Sequence, residues 1–485
     1  MEIAPDSRPD AAPQMIPPKI DAGIRAIARA VLRYAPALAA GLALRLWMLG
    51  KFFQVNGDTL VYGDLAKNLL LHGRYALGQG AAIQPSLMRL PGYPLLLAVC
   101  FRLFGMDNYL AVVYVQIALE LVGCLLLADF ARRIAPQRLK PRAAQATLWL
   151  AALCPFTASY TVLPLTETPT LFVLALAMWA MARFRERPGW PNALCFTFAV
   201  SYAALLRPDG ALAAVAFAPA LFIGLPPSSI PRRKLVRMTA VCVFLALVPF
   251  AAWGCRNWSV FHVFQPLAPR SAADPGEQTY PGWERWYRTW SLDFVSTYQV
   301  YWVAPGGPLD LSELPGRAFD SPAERAQTEA LIREYEDDGE EISPALDAQF
   351  GALALERIRA HPLRYYVWLP LGRLADMIFR PRVENLNIDL DWWVYAHHRF
   401  ETRVSWALAG LNALYLLLGI AGLWQRPPFW RAMLAYIVLR CALLLTVGAS
   451  EARYTLEFFP MLFAWSGLAL AAAAEGIMRR VRSAA

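Results

Sequence analysis

The sequence predicts an all-α polytopic membrane protein of about ten transmembrane helices with one large loop segment. Three observations carry that class. The 485 residues are 57% hydrophobic and only 17% charged, against roughly 25% charge in an average soluble domain. Apolar runs of near-spanning length recur along the chain. The basic clusters fall between those runs so that they share one side of a bilayer. The net charge of +9 is spread over these short clusters, which argues against a nucleic-acid partner and for a lipid bilayer as the surrounding medium.

Residues 1–27 are polar and Pro-rich, without the apolar core and cleavage site of a signal peptide, and read as a disordered cytoplasmic tail. The apolar runs follow near 29–49, 109–130, 144–162, 168–184, 192–206, 209–224, 236–255, 404–424, 429–448 and 454–477. Between them lie "ARRIAPQRLKPR", "RFRERPGW", "PRRKLVR", "QRPPFWR" and "RRVR". These fall on the cytoplasmic side if "LPGYPLLLAVCFRLFG" (90–105) is a surface helix and not a span. Its apolar stretch, about 14 residues, is also short for crossing. The chain thus divides into a transmembrane module 28–255 that includes a first outer loop 50–108, an outer segment 256–403, and C-terminal helices with a short tail, 404–485.

The outer segment is soluble in character. Ser321 and Ser343 stand ahead of prolines as N-caps of two helices. "LRYYVWLPLGRLADMIF" is interrupted by Arg373 and Asp376 and reads as an interfacial helix with aromatic anchors. The seven cysteines lie in or beside apolar runs, with no CxxC pair or metal spacing.

With this topology the ionisable residues outside the cytoplasmic loops collect at the outer ends of the helices. Asp58, Asp64 and Arg89 belong to the first outer loop, Glu167 to the second, Arg207 and Asp209 to the third, Arg256 to the start of the outer segment, and Glu451 with Arg453 to the last turn. Glu120 and Arg440 lie deeper and receive no role. Charges beside hydrocarbon cost about 2.5–3.5 kcal/mol each at the midplane, so such a set marks a polar cavity. Arginine forks suit phosphate oxygens, and a phosphate at a bilayer surface belongs most naturally to a lipid. A carboxylate beside it can take the proton of an attacking hydroxyl.

The succession "GDTLVYGDLAKNLLLHGRY", "RLPGYPLLLAVCFRLFG", "LPLTETPTLFVLALAMWAMAR", "LLRPDG", "RNWSVFHVFQPL" and "EARYTLEFFP" resembles the GT-C glycosyltransferases. Glycosyltransferase family 39 and its relatives, the protein O-mannosyltransferases and aminoarabinose transferases, are the nearest group. The resemblance implies extracytoplasmic juxtamembrane helices and an inverting transfer of sugar from a polyprenyl-phosphate donor to an envelope lipid, glycan or protein, at the outer face of a bacterial inner membrane. It also implies that Asp58 is the catalytic carboxylate and that Arg89 and the late pair Arg453 and Tyr454 bind the donor phosphate; Arg256, at the start of the outer segment, is expected to join them. Glu167, Arg207 and Glu451 would line the substrate cavity. The second loop carries "TE" and not an Asp-x-Asp pattern, so no cofactor is required and a divalent metal is not implied.

Alternative readings stand beside these. Asp58 can cap the helix that follows it, and "RPDG" is a competent tight turn. Asp64 reads as a solvated helix residue, with Val61, Leu65 and Leu69 facing lipid. His397 and His398 read as solvated. The rival class is a polytopic transporter or lipid flippase, but the chain shows one asymmetric array and not two inverted halves.

Overall fold

The computed structural model describes residues 18–223, 230–269 and 271–484. Each of the ten predicted apolar runs is helical. They correspond to α1 (Pro18–Phe52), α4 (Tyr109–Ile134), α5 and α6 (Lys140–Ala152 and Pro155–Thr161), α7 (Glu167–Glu186), α8 (Trp190–Leu206), α9 (Ala211–Phe222), α10 (Arg232–Phe261), α16 (Arg399–Trp424), α17 (Trp430–Leu444) and α18 (Phe459–Ala484). Stretches within four helical segments, Tyr109–Ile134, Arg232–Phe261, Arg399–Trp424 and Ala452–Ser483, are individually long and apolar enough to cross a bilayer. Residues 1–17 of the expected tail lie outside the described residues. From Pro18 the chain is already helical, ten residues before the expected boundary, with proline at a first-turn position where its missing N–H costs nothing.

The bundle packs α4 against α5 and α7, α7 against α8, and α18 against α5 and α16. Small residues permit this closeness. A Cβ on Gly422 of α16 would lie 1.9 Å from the Trp465 carbonyl of α18, the small-residue contact that membrane helices use in place of a hydrophobic driving force.

The third predicted run is broken at Cys154, because Pro155 cannot continue the α5 hydrogen-bond ladder. Arg45 of α1 fills the break. Its Nη1 donates to the Ala152 carbonyl at 2.6 Å and to Gly41 at 2.8 Å, and its Nε meets Glu120 at 2.5 Å. Glu120 therefore neutralises a fully buried arginine, which gives this carboxylate a structural role.

Between α1 and α4 run α2 (Asp58–His72), a short hairpin of β1 (Ala76–Leu77) and β2 (Gln84–Pro85), and α3 (Gly92–Phe104). The expected orientation of α2 needs correction. Leu65 is fully buried, and Val61 and Leu69 pack against the cores formed with Tyr75, Leu90 and Phe101, whereas Leu60 and Leu71 are exposed. Asp64 is not merely solvated: its carboxylate accepts from the Gly78 N–H at 2.6 Å, where φ of +92° favours glycine.

The 256–403 segment has its own core. Trp283, Trp286 and Tyr287 of α11 (Pro281–Arg288) pack with Trp290 and with Leu346 and Phe350 of α14 (Pro344–Ala360). A one-turn α12 (Phe294–Ser296) and α13 (Pro322–Asp337) complete that layer. Ser321 and Ser343 cap α13 and α14, accepting from the backbone N–H of Glu324 and Leu346. In 363–379, which ends in α15 (Leu369–Phe379), Leu363, Tyr366, Trp368 and Phe379 are about two-thirds exposed. Arg373 and Asp376 turn inward, to the Ser291 carbonyl and the Ser450 hydroxyl.

Candidate active site

The first loop folds so that the Asp58 carboxylate is left free of helix capping. The N–H groups of Thr59 and Leu60 are taken by the carbonyls of Asn56 and Gly57, each at 3.1 Å, and no side-chain cap closes α2. The carboxylate instead lies between two arginines. Oδ1 accepts from Arg89 Nη2 at 2.7 Å and Oδ2 from Arg453 Nη1 at 3.2 Å. Burial pushes the Asp58 carboxyl up, but the guanidiniums of Arg453 and Arg89 outweigh it and hold the group below the usual carboxylate range.

Arg89 sits in the strap between β2 and α3, where its carbonyl accepts from the Tyr75 hydroxyl at 3.0 Å. Its guanidinium lies 5.9 Å from the Tyr62 ring centroid. Burial pushes the Tyr62 hydroxyl up to about 12, so it stays a neutral donor near neutral pH.

A second layer underlies these groups. Glu167, the first residue of α7, meets Arg207 at the end of α8 at 3.2 Å and Arg453 at 3.9 Å. Arg207 reaches Asp209 at 3.4 Å and Glu457 at 3.6 Å. The buried Arg440 of α17 bridges the same two carboxylates at 2.7 and 2.8 Å and donates to the Tyr454 carbonyl at 2.8 Å. Charges of alternating sign thus run from Asp58 down to Arg440. This lattice fixes the 452–458 turn, which carries Arg453 and Tyr454.

Asp58, Arg89, Glu167, Arg207, Arg453 and Tyr454 line one cavity of about 680 Å³. Its remaining polar wall includes Asp209, Tyr62 and, from the 256–403 segment, Glu284 and Arg288; Leu206, Leu212, Leu443 and Leu444 supply an apolar side. Three buried polar atoms on the cavity-lining residues, Arg89 Nε, Arg453 Nε and Glu167 Oε2, make no hydrogen bond of good geometry among the described residues, although Arg453 Nε lies at ion-pair distance from Glu451.

Two residues named from the sequence do not line the cavity. Arg256 is held away from it: its guanidinium donates to the carbonyls of Ser86 at 2.7 Å and Tyr75 at 2.6 Å and packs over Trp253. Those contacts tie α10 to the first loop and leave the arginine no fork for a phosphate. Glu451 lies behind the wall, paired with Arg453 Nε at 2.5 Å and accepting from the Tyr454 hydroxyl.

Sequence reasoning left Arg440 without a role and missed Glu457. Arg440 lies within α17 and Glu457 in the 452–458 turn, each among apolar neighbours in sequence, and only packing brings them beneath Asp209. His398, read as solvated, contacts Asp389 at 3.2 Å and Asp391 at 3.0 Å. Their ligand atoms lie within 4.8 Å of one another, a spacing that could hold a metal ion, but none of the three lines the cavity.

Residues 85–253 match the family model described as dolichyl-phosphate-mannose-protein mannosyltransferase. The matched stretch, about a third of the chain, contains Arg89, Glu167, Arg207 and Asp209. Over the described residues the chain is mainly helical, with four helical segments long and apolar enough to cross a bilayer.

Among solved structures, the chain is similar to the oligosaccharyltransferase of Archaeoglobus fulgidus tethered with an acceptor peptide (14% identity, TM-score 0.45), covering 91% of this chain and 50% of that one. A second structure from that organism, with an inhibitory peptide and a dolichol-phosphate, matches at 11% identity and TM-score 0.45, covering 93% and 52%. ArnT from Cupriavidus metallidurans bound to undecaprenyl phosphate matches at 15% identity and TM-score 0.38, covering 92% and 77%. The chain therefore spans about half the length of the oligosaccharyltransferase chains. No curated protein matches the sequence.

Proposed function

We propose that the protein is a glycosyltransferase that moves a sugar from a polyprenyl-phosphate carrier to a hydroxyl-bearing acceptor at the extracytoplasmic face of a bacterial inner membrane. The observation that carries this reading is the Asp58 carboxylate held between Arg89 and Arg453 at the wall of the cavity.

In this reading the donor phosphate takes the place of the carboxylate on the two guanidinium forks. The acceptor oxygen attacks the anomeric carbon, the new C–O bond forms, and the bond to the phosphate oxygen breaks with its electron pair leaving on the phosphate. Negative charge grows on that oxygen as the reaction proceeds. Arginines already positioned there stabilise the transition state more than the ground state. The acceptor proton passes to Asp58.

Asp58 paired with two arginines is a weak base. A phosphate that draws those arginines off raises its basicity, so the base is switched on when donor is bound. Glu167, paired with Arg207 and Arg453 at the cavity wall, would hold those guanidiniums in position beside the donor. Tyr454, over which Arg207 and Arg453 both pack at about 5.5 Å, keeps those side chains aligned. Asp58→Asn tests the reading: sugar transfer by that variant at near the wild-type rate would remove the base from the mechanism.

A further inference from the structure

Transfer needs a second substrate, and the cavity has a second polar wall. It comes from the 256–403 segment. α11 is anchored at its start by the Asp347 carboxylate, which accepts from the N–H groups of Gly282 at 3.0 Å and Trp283 at 2.9 Å. Beyond its end, Arg373 donates to the Ser291 carbonyl at 3.0 Å. The buried face of α11 is Trp283, Trp286 and Tyr287. Its other face places Glu284 and Arg288, one turn apart, on the cavity wall.

Glu284 and Arg288 pair with each other at 2.9 Å and keep side-chain exposures of 31% and 25%. An i,i+4 pair so exposed contributes only about 0.3–0.5 kcal/mol to a helix, so stability does not account for it. The opposing loop makes room for it: a Cβ on Gly448 would come within 2.8 Å of Arg288 Nε. Glycine at 448 lets the loop that carries Arg453 pass directly against the Arg288 side chain.

We propose that Glu284 and Arg288 form the acceptor subsite and that the acceptor they recognise is a saccharide; this rests on the glycosyltransferase reading. A carboxylate and a guanidinium one turn apart offer acceptor and donor groups to neighbouring hydroxyls of one sugar ring, the few placed polar groups by which pockets orient ligands. Arg89 and Arg453, contributed to the same cavity by other elements, are the phosphate side. Among the described residues the 256–403 segment contains no strand, so it offers no sheet edge to which a peptide acceptor could add as a strand.

The experiment uses the full-length protein in lipid nanodiscs. Labelled lipid extract from cells lacking the chain supplies donor, and unlabelled membranes of the same cells are titrated as the acceptor source. Binding of undecaprenyl phosphate is measured in parallel. For Glu284→Gln and Arg288→Gln, each melting as the wild type does, the half-saturating amount of acceptor membrane rises tenfold or more. Undecaprenyl phosphate affinity stays within twofold, and the label is recovered in protease-resistant glycan.

The proposal is overturned if phosphate-lipid affinity falls in step with transfer, if both variants transfer as wild type does, or if the label enters protease-sensitive material. If the wild type neither binds undecaprenyl phosphate nor moves label, the glycosyltransferase reading itself fails and the subsite falls with it.

Discussion

Replacing Asp58 by Asn should weaken transfer and tighten lipid-phosphate binding at the same time. The amide keeps the size of the side chain but removes the negative charge that neutralises Arg89 and Arg453, at 2.7 and 3.2 Å. At an effective dielectric of about 20, a unit charge pair at ~4 Å is worth roughly 4 kcal/mol. Asp58 is 29% exposed, and solvent screening brings the net effect to about 1–2 kcal/mol for the site. An incoming phosphate no longer displaces that carboxylate, so undecaprenyl phosphate should bind about tenfold tighter, 1.4 kcal/mol being one decade. Transfer should drop by roughly 10²–10⁴, the usual contribution of a positioned base. Titration of the protein in nanodiscs with undecaprenyl phosphate, read by tryptophan fluorescence, measures the first effect. Binding that weakens tenfold would show that the carboxylate supports the phosphate site and does not compete for it, and would refute the reasoning.

Three further outcomes follow from the same geometry. The depressed pKa of Asp58 keeps the base ionised above the unfolded carboxylate value of about 3.9, and the stability it contributes is lost only as pH falls through the lower folded value. Arg89→Gln removes one of the two cations that depress it, so the acid limb of the kcat/KM profile should move to higher pH; an unmoved limb would mean that another group titrates. Arg256→Lys should leave undecaprenyl phosphate affinity within twofold, because the native side chain is committed to the Ser86 and Tyr75 carbonyls; a tenfold loss would return Arg256 to the phosphate site. Arg440→Met removes the closer cation from the buried Glu457 and the half-buried Asp209, leaving them Arg207 at 3.6 and 3.4 Å, and should lower stability by about 3 kcal/mol, seen as a fall in the detergent melting temperature; an unchanged melt would contradict the charge lattice.

The helices were legible in the sequence because lipid imposes long apolar runs and the loops carry their charge asymmetrically. All ten runs are helical, and the break at Pro155 lies inside one of them. What the sequence conveys about the site is the end of the bundle to which each charge belongs, not its depth or partner. Asp58, Arg89, Glu167, Arg207, Arg453 and Tyr454 share that end and face one cavity. Arg256 shares it too, yet its fork is consumed by the Tyr75 and Ser86 carbonyls, which flank the β1–β2 hairpin at its open end, a pairing no local pattern announces. Arg440 and Glu120 looked alike as isolated charges in apolar helices. Packing gives one a place beneath Asp209 and the other a partner in Arg45, across 75 positions of sequence. The Leu65 side of α2 misled because an apolar i,i+4 stripe has the same spacing whether it meets lipid or α3.

The most direct test of sugar transfer from a lipid phosphate compares the envelope glycolipids, glycans and glycoproteins of cells lacking the chain with those of cells carrying the wild type or Asp58→Asn. The account predicts that one sugar modification disappears, that its polyprenyl-phosphate-linked precursor accumulates, and that the wild type alone restores it. Glycans unchanged in every fraction, together with lost uptake of a solute, would contradict the account and make the protein a transporter.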